Sequence, residues 1–350
     1  MAIEGFPGVD DILSGTPSGD EFFGFSGDDT FLGLGGNDTF HGGEGDDTVE
    51  WNSGNDSIDG GDGAFDWLLL SRATHGFVVD LKAGTAIQTG GGENDLVSGI
   101  EAVRGSNYGD RLLGSGADEY FFPDFTDKNQ TEISFPRMKK GGTDFIDGRG
   151  GFDVLSYGQE KAGVVIDVTA GTVRDGTGNT DTFRNMEQYE GSKFADKITG
   201  GKKADVLWGL AGNDTIGGGS GNDTMVGHLG KDIYTGGAGK DVFEFWSPIG
   251  ASQTKANRDV ITDFKPGTDK IDLSTIDADI STLEDNVFKL YALNEHDYET
   301  FDGYAGRLIW YHSANRKYAL IQGDVDGDKE VDFTLELKGD FYIAASDFIL

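Results

Sequence analysis

The chain contains no cysteine among its 350 residues, which removes disulfides, thiolate metal sites and thiol nucleophiles. Basic residues are scarce: 28 Lys and Arg stand against 62 Asp and Glu, a formal net charge of −34. So acidic a chain repels nucleic acid and anionic membranes. No apolar run approaches the ~18 residues of a membrane-spanning helix. Met1-Ala2-Ile3-Glu4-Gly5-Phe6-Pro7 lacks the basic and apolar regions of a cleavable signal peptide, so an export address is expected elsewhere. The five histidines (His41, His75, His228, His296 and His312) form no H-E-x-x-H pair; Glu295 precedes His296, but the second histidine is missing. No G-x-S-x-G elbow and no phosphate-binding Gly-Lys-Ser/Thr loop occurs. Sixty-two acids supply so many carboxylate pairs that none stands out for glycoside chemistry. The reading leans away from an enzyme.

What the chain has in excess is glycine, 57 residues, and aspartate at a fixed interval. Asp11, Asp20, Asp29, Asp38, Asp47 and Asp56 stand nine residues apart, and Asp196, Asp205, Asp214, Asp223, Asp232 and Asp241 repeat the interval. Around most of them runs the nonamer G-G-x-G-x-D-x-U-x, as in Gly42-Gly43-Glu44-Gly45-Asp46-Asp47-Thr48-Val49-Glu50. This is the calcium-binding parallel β-roll pattern, with U a large apolar residue. An apolar content of 36% with 24 phenylalanines argues against disorder despite the charge.

Positions one to six of the nonamer read as a turn and seven to nine as a short strand. Alternate strand side chains face opposite ways, so position eight points inward. Apolar residues occupy all of these places: Leu13, Phe22, Phe31, Phe40, Val49 and Ile58, then Ile198, Leu207, Ile216, Met225, Tyr234 and Phe243. Glycine holds position four at Gly27, Gly36, Gly45 and Gly54, and at Gly212, Gly221, Gly230 and Gly239, where the turn calls for positive φ or close carbonyl approach. Two nonamers make one coil, so turns n and n+2 stack on one edge; Asp29 and Asp47 share one edge, Asp38 and Asp56 the other. Carboxylates and backbone carbonyls are hard oxygen donors suited to calcium between stacked turns. The expected metal ligands are Asp20, Asp29, Asp38, Asp47, Asp56, Asp205, Asp214, Asp223, Asp232 and Asp241 with the eight position-four glycines. About four stacked pairs per array imply ~8 ions. The first members are weaker, because Val9, Ser18, Phe194 and Lys203 stand at position four before Asp11, Asp20, Asp196 and Asp205; these read as capping coils with partial sites. Two inward side chains per coil cannot offset the ordering of 18 glycine-rich residues, so the arrays are expected to be largely unfolded without calcium.

A longer repeat pairs residues 65–114 with 152–200. Phe65-Asp66 matches Phe152-Asp153, Gly76–Leu81 matches Gly163–Val168, Asp95 matches Asp181, and Glu101, Gly105, Ser106 and Asp110 match Glu187, Gly191, Ser192 and Asp196. Both copies read as wider coils with longer strands such as Phe77–Leu81 and Val164–Val168. Residues 120–143 break the periodicity and set Tyr120, Phe121, Phe122, Phe125 and Phe135 near Arg137, Lys139 and Lys140. An insert packed on a flank is the plainer reading, carbohydrate binding the sharper one. The expected organisation is a first array with spacer over 8–119, the insert over 120–143, a second spacer and array over 144–245, and a β-rich cap over 259–350. Within the cap, Arg307–His312, Lys317–Gln322 and Val331–Leu337 read as strands, and 281–291 as a short helix. Asp324-Val325-Asp326-Gly327-Asp328 begins like an EF-hand, but Lys329 replaces the loop glycine and Leu335 the bidentate glutamate, so an acidic hairpin turn with weak calcium affinity at most is expected. The fold class is all-β: a calcium-binding parallel β-roll or β-solenoid with a C-terminal β-rich capping domain.

The nonamers resemble those of the repeats-in-toxin (hemolysin-type) calcium-binding family. Asp259-Val260-Ile261-Thr262-Asp263-Phe264 through Gly267-Thr268-Asp269-Lys270-Ile271-Asp272-Leu273-Ser274 resembles the C-terminal domain of serralysin-type metalloproteases. So do Gly323–Asp328 and Asp347-Phe348-Ile349-Leu350. The resemblance implies a secreted, extracellular Gram-negative protein exported by a type I apparatus through an uncleaved C-terminal signal. It does not extend to the zinc-protease motif. The function expected is a non-catalytic calcium-binding protein of the cell surface or matrix, with acidic polysaccharide as a partner; the alternative is an enzyme or the accessory module of a secreted polysaccharide-modifying or protease-related enzyme.

Overall fold

The computed structural model describes residues 1–123, 142–246, 258–279, 286–292, 301 and 303–350. Among these the protein is all-β, apart from a single 3-10 turn at Ala345–Asp347. Two compact units emerge, Met1–Lys161 with Gly171–Gln188 and Ala162–Ala170 with Tyr189–Leu350, and the division falls inside the second of the longer repeats.

In the first unit, each coil contributes one strand to each of two parallel sheets. Phe22 pairs with Phe40 and Phe40 with Ile58 in one sheet, while Phe31 pairs with Val49 and Val49 with Leu68 in the other. The step of two nonamers follows from the turn, which reverses the chain once per nine residues. Position eight is buried at all twelve places named above. Phe22 and Phe40 stack at 4.8 Å with planes 11° apart, and Phe31 meets them edge-on at 6.1 and 6.0 Å. Such ring pairs contribute roughly 0.5–1.5 kcal/mol each beyond area burial. On one side the strands run past position nine: Glu21–Ser26, Thr39–Glu44 and Ser57–Asp62 have six residues, because backbone pairing continues through Phe25 and Gly43.

The first longer repeat is an antiparallel excursion that rejoins the roll. Phe77–Asp80 pairs with Thr85–Gln88, and Thr85–Gln88 pairs with Asn94–Ser98. Its outer strands then continue the parallel stack, Asn94–Ser98 on Ser57–Asp62 and Phe77–Asp80 beside Arg111–Leu113. The periodicity also reaches further than the sequence suggests. Tyr120–Phe122 is a roll strand between Ala102–Arg104 and Val154–Ser156, with Phe121 fully buried. The remainder of the aromatic and basic insert, 124–141, lies outside the described residues.

In the second unit Lys197–Thr199, Thr215–Gly217, Ile233–Thr235 and Asp259–Ile261 stack in one sheet, and Val206–Trp208, Thr224–Val226, Val242–Glu244 and Lys270–Asp272 in the other. The cap continues both. Phe333–Lys338 adds to Asp259–Ile261 and carries the antiparallel strands Tyr318–Asp324 and Arg307–His312. Phe348–Ile349 adds to Lys270–Asp272. Asp347 is buried and accepts the Gly267 N–H at 2.7 Å and the Ala344 N–H at 2.8 Å, which locks the terminal strand in place. The short helix read at 281–291 is not what forms: Lys289–Ala292 is a strand paired in parallel with Arg307–Trp310, and 281–285 lie outside the described residues. Pairing with an open strand edge outweighs a weak local helical preference there.

Candidate metal centres

From Asp29 and from Asp214 onward, each position-six carboxylate does two separate things. Its Oδ1 accepts the backbone N–H of the aspartate 18 residues earlier: Asp20 to Asp38 at 2.8 Å, Asp29 to Asp47 at 2.8 Å and Asp38 to Asp56 at 2.9 Å. The second array repeats this with Asp205 to Asp223 at 2.9 Å, Asp214 to Asp232 at 2.8 Å and Asp223 to Asp241 at 3.2 Å. The pairs share edges as the spacing predicts. The Oδ2 atoms of Asp29, Asp38, Asp47, Asp56, Asp214, Asp223, Asp232 and Asp241 are buried without a hydrogen-bond partner.

A carbonyl oxygen lies beside the Oδ2 of Asp29, Asp47 and Asp223. A Cβ added to Gly218 would sit 2.5 Å from Asp223 Oδ2 and 2.7 Å from the carbonyl oxygen of Gly236, the first glycine of the turn stacked above. Gly24 faces Asp29 Oδ2 and Gly42 O in the same way, and Gly42 faces Asp47 Oδ2 and Gly60 O. Orphaned carboxylate oxygens converging with carbonyls fit a hard cation such as calcium.

Within the two arrays, position four decides whether Oδ2 is left free. The eight glycines there have φ from +100° (Gly36) to +150° (Gly239), which side-chain-bearing residues rarely adopt. Where Ser18, Tyr108, Phe194 or Lys203 stands instead, the turn closes and an N–H four residues before the carboxylate reaches it. Thr16 bonds Asp20 at 2.7 Å, Ser106 bonds Asp110 at 2.6 Å, Ser192 bonds Asp196 at 2.5 Å and Gly201 bonds Asp205 at 2.6 Å. Asp20 and Asp205, read as metal ligands from the sequence, thus have carboxylates already engaged by the turn.

Burial raises carboxylates of both kinds of turn, Asp110 to about 6 and Asp196 among the closed ones. Burial, followed by neighbouring carboxylates, pushes Asp47 and Asp56 up to about 7 and Asp214 up to about 8. Burial likewise raises Asp223 and Asp232 to about 6. Asp20 moves the other way, held low first by its bond to the Thr16 side chain.

Further acids join the ladders without belonging to the two arrays. Asp47 donates its N–H to Asp66 at 2.7 Å, and Asp56 donates to Asp95 at 2.9 Å. Asp232 donates to Asp259 at 2.7 Å, and Glu119 donates to Asp153 at 3.0 Å. Asp66, Asp95, Asp153 and Asp259 all carry a buried, unpartnered Oδ2. The internal repeat that aligns Asp66 with Asp153 was the signal for two of these. In the cap, Asp324, Asp326 and Asp332 bring one carboxylate oxygen each within 4.8 Å of the others. Lys329 takes the positive φ (77°) of the glycine it replaces, and its N–H bonds Asp324 at 3.2 Å. His228 stands apart from the metal ladders, half-buried between Trp208 and Trp246 at 5.6 and 4.7 Å.

Comparison with known proteins agrees with this arrangement. The family described as peptidase M10 serralysin C terminal matches residues 172–350, and the RTX calcium-binding nonapeptide repeat matches 8–40, 23–50 and 41–64. No curated protein matches the chain. Among solved structures, the R3 subunit of the Azotobacter vinelandii mannuronan C5-epimerase AlgE6 is similar at 25% identity and a TM-score of 0.33, covering 45% of this chain and 78% of that one. The R2 subunit of the same epimerase is similar at 22% identity and a TM-score of 0.30, covering 45% and 91%. The extracellular lipase LipA from Serratia marcescens is similar at 17% identity and a TM-score of 0.28, covering 99% of this chain and 40% of that one. Among the described residues no helix is long and apolar enough to cross a membrane.

Proposed function

Since the chain belongs to the peptidase M10 serralysin C-terminal family and carries RTX calcium-binding nonapeptide repeats, we propose that it is a secreted, non-catalytic calcium-binding protein that folds on calcium outside the cell. The observation that carries this reading is the two sets of buried Oδ2 atoms without a hydrogen-bond partner, those of Asp29, Asp47 and Asp223 lying beside a backbone carbonyl. The Oδ1 atoms tie successive coils together, while the Oδ2 atoms repel one another and hold the metal-free coils near instability. Bound calcium would neutralise that repulsion and add oxygen–metal bonds, so that binding energy becomes folding energy. In a calcium-poor cytosol the chain would stay extended enough for a type I export apparatus, and it would fold on release. Its place of action is the cell surface or extracellular matrix. Acidic polysaccharide is the partner class, since calcium bound along a roll edge can bridge to carboxylated sugars.

The test is a calcium titration followed by far-UV circular dichroism and calorimetry. Cooperative gain of β signal at ~0.1–1 mM calcium, with several ions bound, is expected. A chain already folded in chelator and indifferent to calcium would overturn the reading. For the partner, a glycan array with calcium present should show retention on anionic glycans, and none would remove the polysaccharide.

A further inference from the structure

One sheet of the first unit broadens where the antiparallel excursion rejoins the roll, and its outer face departs from the acidity of the chain. Strand pairing places Asn94, Ile87, Val78, Arg111, Phe145 and Thr182 in one row across six neighbouring strands. They alternate along their strands with buried residues such as Val79, Leu112 and Ile146, so the row faces outward. Five strand spacings of ~4.8 Å make it ~24 Å long. Thr172 pairs with Thr182, which sets Arg174 on the same face, two residues along its strand. Asp80, Asp147 and Arg184 stand two residues along from Val78, Phe145 and Thr182.

The charges at these positions do not cancel. Asp80 is matched by Arg149 at 2.7 and 2.8 Å, and Asp147 by Arg184 at 2.6 Å. Arg111 and Arg174 are exposed and form no ion pair among the described residues. Two guanidiniums are therefore left without a carboxylate in a chain of net charge −34. Arg111 lies over the Phe145 ring at 4.4 Å, and Arg184 approaches the same ring at 5.5 Å. Stacking occupies the flat side of a guanidinium and leaves its N–H edge for a planar anion. Ile87 and the half-buried Val78 continue the row as apolar surface beside Arg111. A row this long, cationic and partly apolar, fits an extended polyanion with apolar faces rather than a single small anion.

We propose that this face binds an acidic polysaccharide directly, Arg111 and Arg174 pairing with its carboxylates while Val78, Ile87 and Phe145 pack against sugar rings. The choice of partner rests on the polysaccharide reading given above, but the contact is a different one. It lies on a sheet face instead of a roll edge and needs no calcium between protein and sugar.

The test is calorimetry of the full-length chain, folded in millimolar calcium, with an oligogalacturonate as probe. Arg111→Glu and Arg174→Glu should each weaken binding about tenfold, the worth of one charge-assisted pair, without shifting the calcium midpoint of folding. Lys202→Glu, an equal charge change at an exposed place in the second unit, should leave binding unchanged. Wild-type affinity in both arginine variants would overturn the face and leave the calcium-bridged contact standing. Equal weakening in all three variants would mean a general charge effect and overturn it as well. Binding of single-stranded DNA but not of the oligosaccharide would also overturn it. A wild type that folds on calcium yet binds no oligosaccharide removes this face and the polysaccharide together, while the calcium reading stays. Should an arginine variant fail to fold, the wild type decides through an arginine-selective dicarbonyl reagent read by mass spectrometry. Protection of Arg111 and Arg174 by the oligosaccharide supports the face, and unchanged modification of both sinks it.

Discussion

Replacing Asp214 by asparagine should stabilise the roll without calcium and weaken it with calcium. The carboxylate is 1% exposed, its Oδ2 has no donor, and burial with the Asp232 and Asp196 charges raises it from 3.8 to about 8. A carboxyl whose folded value is raised adds no penalty below its unfolded value, and the cost grows as pH rises from about 4 towards 8. At pH 7 the gap from 3.8, at ~1.36 kcal/mol per pH unit, amounts to about 4 kcal/mol against the metal-free fold. Asparagine mimics the neutral acid and removes that cost. It also removes one charged ligand, and an ion present at 100 times its dissociation constant contributes about 2.7 kcal/mol. Urea unfolding followed by far-UV circular dichroism would be run in chelator with an excluded osmolyte to populate the fold, and again in millimolar calcium. The midpoint should rise in the first condition and fall in the second. A fall in both, or no change in chelator, would refute the idea that Oδ2 is an uncompensated anion. Asp20→Asn is the control: its carboxylate is held low by Thr16, so it should lose stability in both.

The pH dependence should be opposite in the two states. In chelator the β signal should grow as pH falls from 8 to 5, because Asp47 and Asp56 near 7 and Asp214 near 8 become neutral. In calcium the apparent affinity should drop over that range as protons compete for the same oxygens, which calorimetry at pH 8, 7 and 6 would measure. Lys203→Gly should open the turn before Asp205 and release its carboxylate from the Gly201 N–H, raising the ion count by one in equilibrium dialysis. Gly45→Ala should cost ~1–3 kcal/mol in calcium, read as a lower denaturation midpoint. Gly45 has φ +120°, and a Cβ there would strike the carbonyl of Gly27.

Much of the architecture was legible because it repeats locally. Nine-residue spacing implies a turn and a strand, and an apolar residue at every position eight implies a narrow core, which Phe22, Phe31 and Phe40 form. The weakness of the Asp20 and Asp205 turns was legible from Ser18 and Lys203 at position four. The ladder members outside the arrays were harder to see. Asp56 bonds Asp95 across 39 residues and Asp110 bonds Asp144 across 34, and these intervals bear no relation to nine. The strand at Lys289–Ala292 was missed because its partner, Arg307–Trp310, is a sheet edge that no local pattern announces.

The sequence alone therefore determined the repeat, the inward residues, the oxygen-donor chemistry and which turns can open, since all depend on residues within nine of each other. Only the tertiary structure decided which coil follows each excursion, and so which acids face one another. That register is set by strands packing across 30 to 40 residues of intervening chain. It placed Asp66, Asp95 and Asp153 under the N–H groups of Asp47, Asp56 and Glu119, because which acid stacks on which turn depends on the register of the coils rather than on neighbours in the chain.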